Sequence, residues 1–258
     1  MKFAALVLAF ICLLPSAGYA QEWQQEKGDH FIVYYASDPN FAKKTVRQAE
    51  VYYGHIADEI GYPRYSNFWT WDNRVKIYLY PDEAAFHKGT DSPEWMKGVA
   101  SYKQKAISTF AGCANFIDGI LPHETTHLIF RDFVGFKGAV PLWIDEGIAQ
   151  WEEPQKRALA RKVARALVQK GMDRPLAELT RMDVRHERDE DTVRDFYMQA
   201  VSLVDYLVKT YGPQSFTEFC RELRDGKDFE DALRAAYPGV IETVNDLDTK
   251  WREYASKE

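Results

Sequence analysis

Apolar residues along this chain follow two rhythms, short alternating runs in the front half and three-to-four-residue spacing in the back half. Residues 30–36 form a compact β-branched and aromatic run, which predicts a strand. Asp38-Pro39 is a helix start. Phe41, Thr45, Ala49, Tyr52 and Ile56 then repeat at helical spacing, predicting a helix over 39–60 that Gly61-Tyr62-Pro63 ends. Residues 75–80 alternate apolar with mixed side chains, a second strand stopped by Pro81. Segments 98–102 and 106–110 flank Lys103-Gln104-Lys105 as the arms of a hairpin. Asp118-Gly119 opens a helix that tolerates Pro122 in its first turn.

Behind that point the pattern predicts helices over 142–153, 155–170, 197–211, 215–224 and 228–236, the last capped by Asp228. Residues 181–195 are dense in charge and read as a loop, either a plain connector or a lid over a cleft. The helix over 155–170 carries Lys156, Arg157, Arg161, Lys162, Arg165 and Lys170 and no acid. Such a face either docks an anionic group or is simply solvated. Together these elements predict an α+β fold, with a mixed β-sheet and one buried helix in front and helices behind.

Composition narrows the partners. A formal net charge of −6 argues against nucleic acid or an anionic membrane as the main partner. Lys2, the apolar run 3–14 and Gly18-Tyr19-Ala20 read as a cleavable signal peptide over residues 1–20. That run is too short to span a bilayer, so the expectation is an exported protein, periplasmic or extracellular and bacterial in type, with no stable membrane insertion. Residues 21–258 then form one domain. Cys12 falls in the leader without the small residues that precede a lipidated cysteine. Cys113 and Cys220 remain as a candidate disulfide, although nothing in the sequence brings them together.

The chemistry concentrates in His123-Glu124-Thr125-Thr126-His127. Each helical residue advances about 100°, so His123 and His127 share one face, one turn apart, and can bind one metal ion. Glu124 points into the same cleft without being a ligand, as suits a base acting on water. A catalytic zinc usually takes three protein ligands, and Glu146 is the candidate third. Flanking Ile120, Leu121, Leu128, Ile129 and Phe130 predict that this helix is buried, where an uncompensated charge is costly. Asp145 is the candidate partner behind a ligand. Glu153 follows Glu146 by two helical turns, roughly 10 Å along the axis, too far to share the ion. His30, His55, His87 and His186 lack ligand spacing, and Trp143 and Trp151 read as packing residues.

His123 to His127, followed by Glu146 in Trp143-Ile144-Asp145-Glu146-Gly147-Ile148-Ala149, resembles the gluzincin metallopeptidases, above all peptidase MA-like domains and the aminopeptidase N family. Residues 30–36, 39–60 and 75–80 resemble the opening of peptidase MA-like domains. The resemblance implies a zincin-like two-lobe catalytic domain, with lobes over about 21–132 and 133–258. It also implies Zn2+ held by His123, His127 and Glu146, Glu124 as general base, and a peptide or protein substrate. The segment from Tyr197 to Leu207 resembles the one in which the aminopeptidase N family places its catalytic tyrosine, and Tyr197 matches it; otherwise Tyr197 is a core tyrosine. A metzincin would place glycine and histidine where this chain has Phe130 and Phe133. Thermolysin has an aspartate where this chain has Gln150, so the residues behind the ligands must differ. No Gly-x-Met-Glu-Asn segment is present, which removes the aminopeptidase expectation; the nearest stretch, Ala111-Gly112-Cys113-Ala114-Asn115, lacks the Glu. The sheet edge that would pair with an extended substrate is 106–110 or 99–102. Two other functions stay open: hydrolysis of a cell-wall peptide or other amide at the same site, and a zinc-stabilised binding module without catalysis.

Overall fold

The computed structural model describes residues 22–60, 69–94, 96–135 and 140–256. The leader and the Gly61-Tyr62-Pro63 helix stop lie outside the described residues. The front half builds a five-stranded sheet from β1 (Gln24–Lys27), β2 (Phe31–Tyr35), β3 (Val75–Tyr80), β4 (Val99–Ser101) and β5 (Ala106–Phe110), in the order β1-β2-β3-β5-β4. The three central strands are parallel and the two outer ones antiparallel. Register follows the apolar alternation: Val33 pairs with Ile77 and Ile77 with Ile107, and all three are fully buried. A one-residue slip would turn that row outward, which is why the pairing is well specified. Between β2 and β3 the chain runs through α1 (Pro39–Glu59), whose start is fixed by Asp38 accepting from the amides of Asn40 and Phe41. The expected hairpin forms between β4 and β5. Of the two candidate edges only β4 is free, because β5 is flanked by β3 and β4.

The metal-motif helix α3 (Leu121–Val134) packs against α1 on one side and α4 (Leu142–Trp151) on the other, with Leu121, Leu128, Ile129, Phe130 and Phe133 all buried. Its entry differs from the expectation at Asp118-Gly119. The backbone is already helical from Phe116, in a wide π-type turn over Phe116–Ile120. Asn115 precedes it at φ 62°, a left-handed conformation that asparagine tolerates better than most residues. Five further helices follow α4 among the main packing elements: α5 (Pro154–Lys170), α7 (Glu190–Tyr211), α8 (Pro213–Arg224), α9 (Phe229–Ala236) and α10 (Val244–Ser256). The most extensive helix–helix packing is of α7 against α4 and α5. Mixed α and β structure is therefore the observed class. No helix of the described residues is long and apolar enough to cross a membrane.

Two expectations are corrected, and the open alternative of a disulfide is decided. The charged segment 181–195 is a loop only as far as Asp189, whose carboxylate caps the amide of Thr192 at 3.0 Å; Glu190 and Asp191 then favour the helix N-terminus and start α7 early. The helix over 142–153 ends at Trp151, since Glu153 has extended backbone and Pro154 begins α5. Cys113 and Cys220 are both buried and unpaired. Cys113 follows β5 and turns its thiol toward Lys97 O, whereas Cys220 is fully buried on α8. The sequence reading also passed over β1, α2 (Glu83–Thr90), α6 (Leu176–Leu179) and α10. β1 is polar and held by its backbone pairing to β2. On α10, Leu247, Trp251 and Ala255 are buried at four-residue spacing, a legible signal.

The seat of α4 on α7 depends on Gly147. A Cβ there would stand 2.6 Å from Ala200 O and 2.9 Å from Val204 Cγ2, and the first of these is backbone that cannot swing away. Overpacking of this kind typically costs about 1–3 kcal/mol. Gly147→Ala is therefore expected to lower the melting temperature by several degrees, and to weaken metal binding, because Asp145 and Glu146 ride on the same helix. A thermal melt beside a metal titration checks both.

Candidate metal centre

Helix spacing on α3 brings His123 Nε2 and His127 Nε2 to 3.1 Å from each other. α4 crosses that face and delivers Glu146 Oε2 to 3.6 Å from His127 Nε2 and 3.8 Å from His123 Nε2. A tetrahedral ion with bonds of about 2.0–2.1 Å would separate its ligand atoms by roughly 3.3–3.4 Å. The observed triangle brackets that value. Two imidazole nitrogens and one carboxylate oxygen are also the donor types zinc takes, so these residues fit such an ion. All three predicted ligands are thus brought together.

The ring edges facing away from the triangle make the case stronger. His127 Nδ1 lies 3.0 Å from Asp145 Oδ1, and His123 Nδ1 lies 2.9 Å from Glu153 Oε1. A carboxylate only accepts, so each Nδ1 carries the proton and donates, which leaves the Nε2 lone pairs aimed at the common point. Asp145 was the expected partner of a ligand. It is itself held by Arg131, whose Nε donates to Oδ2 at 3.0 Å. Burial works to raise the Asp145 pKa, but the His127 ring and Arg131 outweigh it and keep the carboxylate below its ordinary range.

Glu153 is the residue that sequence reasoning missed. Extrapolating one straight helix sets it far from the ion, and it is indeed not among the three converging ligands. The end of α4 at Trp151, and the extended Glu153 before Pro154, turn its side chain back onto His123. The only signal available was Glu153-Pro154, since proline at a helix start implies a break just before it. Lys156 Nζ, 2.7 Å from Glu153, adds its charge to the pair. Arg157 is likewise engaged within the fold: its guanidinium lies 3.5 Å over the Trp151 ring and reaches Glu59. Part of the basic face of α5 is thus neither a docking surface nor simply solvated.

Glu124 follows His123 on α3 and is half-buried. Tyr197, on α7, lines a cleft of about 400 Å³ with His123, Glu146, Gln150, Leu159, Val163, Met198 and Val201. Burial first, and then the carboxylates of Glu146, Glu124 and Asp145, push the Tyr197 phenol well above its usual pKa. It therefore stays protonated, and can donate a hydrogen bond within reach of the same charges. Tyr102, at the end of the β4 arm, feels the same surroundings from the sheet side and is pushed up to about 12, by burial first and by Asp145 and Glu124 against His127 and Arg131. Trp143 and Trp151 are buried packing residues as expected, and His30 and His87 form local contacts away from the centre.

Two outcomes follow for metal binding. Asp145→Asn and Glu153→Gln keep every ligand but loosen a ring, so each is expected to weaken metal affinity by about 10–100-fold. For His127, burial lowers the pKa but Asp145 and Glu146 outweigh it and hold it well above the ordinary histidine value. A proton on Nε2 therefore competes with the ion for that lone pair and is released on binding. Affinity should rise with pH until that raised pKa is passed, as isothermal titration in buffers of different ionisation enthalpy would show.

A search of curated proteins finds no significant match to the chain. Residues 70–257 match the family model of the peptidase MA superfamily, a span that runs from just before β3 to the end of α10 and includes every residue of the centre. With well over half of its length matched, the chain belongs to the peptidase MA superfamily.

Proposed function

We propose that the chain is an exported zinc-dependent peptidase that hydrolyses peptide bonds with Glu124 as general base. The observation that carries this reading is the pair of inward-facing Nε2 atoms, each fixed by a carboxylate behind it, beside a Glu that is not needed as a ligand. A purely structural zinc site usually closes its fourth position with protein and has no use for such a base. A bound zinc ion would polarise the scissile carbonyl and acidify the attacking water. Glu124 would take the proton from that water and pass it to the leaving amine. The Tyr197 hydroxyl would donate to the oxyanion as charge develops on the carbonyl oxygen.

On this reading residues 1–20 are an export signal, and residues 21–258 form a zincin-like domain of two lobes, about 21–132 and 133–258, with the cleft between them. The free edge of β4 would pair with an extended substrate through backbone hydrogen bonds, which tolerate many sequences. Leu159, Val163, Met198 and Val201 would receive an apolar side chain next to the scissile bond. With no counterpart of the amino-terminus-binding Glu, cleavage away from chain ends fits better than aminopeptidase action.

Two variants test the mechanism. Glu124→Gln should retain fold and metal yet lose most turnover on a peptide library, because an amide cannot accept the proton. Wild-type activity in that variant would sink the reading, and no cleavage by the zinc-loaded wild type would favour the non-catalytic module. Tyr197→Phe should keep metal content and melting temperature while kcat falls by about 10²–10³ with little change in KM, the usual loss for one oxyanion donor. Near-normal kcat would make Tyr197 a packing residue.

A further inference from the structure

α1 and the corner between α4 and α5 bring together a second set of metal-type donors. His55 and Glu59 lie one turn apart on α1, and Glu152 stands at the corner, immediately before Glu153. His55 Nε2 is 3.4 Å from Glu59 Oε2 and 3.8 Å from Glu152 Oε2, with all three donor atoms within 4.8 Å of one another. The two distances from His55 are long for hydrogen bonds but fall in the range spanned by the His123, His127 and Glu146 triangle. By contrast, His30 closes to 2.7 Å on Glu50 elsewhere in the same molecule.

Glu152 supplies the second observation. It is 4 % exposed, and its Oε1 has no hydrogen-bond partner. Its cationic neighbour is Arg157, whose Nη2 stands 3.5 Å away. That guanidinium is committed to other groups: both Nη atoms contact Glu59, Nε donates to Trp151 O at 2.9 Å, and the plane stacks on the Trp151 ring. One cation therefore serves two neighbouring carboxylates. Burial first, and then Glu59, hold the Glu152 pKa well above the ordinary carboxylate range despite Arg157, as expected of a carboxylate short of positive charge. A divalent ion would supply that charge, engaging the Glu152 carboxylate and the His55 lone pair, while Glu59 Oε1 remains for Arg157 Nη1.

We propose that His55, Glu59 and Glu152 form a second divalent-cation site, which pins α1 to the α4–α5 corner. One imidazole and two carboxylates suit Zn2+, and the half-exposed His55 gives the ion access and room for water. Because Glu153 is the next residue and holds His123 Nδ1, an ion at this corner steadies a group that orients a ligand of the first centre. The role is one of positioning, and it stands apart from the peptidase reading.

The test is zinc content by elemental analysis of the full mature chain after loading with Zn2+ and dialysis. Wild type should hold two ions per chain, the His123→Ala/His127→Ala variant one, and His55→Ala or Glu152→Gln one. Zinc should also raise the melting temperature of His123→Ala/His127→Ala by several degrees, and adding His55→Ala to it should remove that rise. His55 is exposed, so its loss should leave the metal-free melt unchanged, which separates metal loss from misfolding. The proposal is overturned if His55→Ala holds as much zinc as wild type, or if His123→Ala/His127→Ala holds none. A single ion kept by His123→Ala/His127→Ala and lost with His55→Ala would instead support this site and sink the peptidase centre.

Discussion

A neutral imidazole offers one lone pair and one N–H, and which nitrogen carries which depends on what the other edge of the ring touches. The centre of this protein depends on that fact. His123 and His127 can turn both lone pairs to one point only if each Nδ1 finds an acceptor, and the two acceptors arrive by different routes. Asp145 comes from the same helix that carries Glu146, whereas Glu153 comes from the break between α4 and α5. The site therefore exists only where α3, α4 and the α4–α5 corner meet in one arrangement, and much of the surrounding packing serves to hold it.

That packing is close and costly to disturb. Gly147, next to Glu146, lets α4 approach the backbone of α7. Further along the same contact, Asp205 is fully buried on α7 and accepts hydrogen bonds from Trp151 Nε1 at 3.0 Å and from the Tyr254 hydroxyl at 3.1 Å, while Lys209 pairs with it. A buried carboxylate with several partners resists displacement, since removing any one leaves charge uncompensated. Gln199 adds a second clasp, exchanging two hydrogen bonds with the backbone of Arg174 and so tying the α5–α6 connection to α7. Tyr197 stands two residues before Gln199 on this braced helix. Its phenol is positioned by elements far from it in sequence.

The front sheet has a different task. Residues 22–60 precede the span shared with the peptidase MA superfamily, yet they supply β1, β2 and α1. α1 contacts both β2 and α3, and α3 itself contacts β4 and β5, so the sheet supports the helix of His123 and His127 directly as well as through α1. α1 also reaches the helical half directly, through Glu59 to Arg157 and through Thr217, whose hydroxyl donates to Ile60 O at the end of the helix. These contacts link the sheet-bearing and helical halves on the side of the molecule where Glu153 is held.

The sequence by itself determined whatever depends on local spacing. His123 and His127 must share a helix face because the helix repeats every 3.6 residues; β3 was legible because apolar alternation has a period of two, and β2 because β-branched and aromatic residues cluster in one short run. Asp145 and Glu146 could be assigned opposite duties because neighbours on a helix point about 100° apart. Asp38 and Asp228 could be read as caps because a carboxylate can satisfy free helix amides. What only the tertiary structure decided depends on how elements meet: that Glu153 rather than Gln150 supports His123, that Arg131 holds Asp145, and that β4 is the free edge. It also decided that Tyr197 shares a cleft with His123 and Glu146, and that Cys113 and Cys220 stay unpaired. No period encodes these contacts. Each depends on where one helix stops and the angle at which the next begins, and these are fixed by packing summed over the whole core.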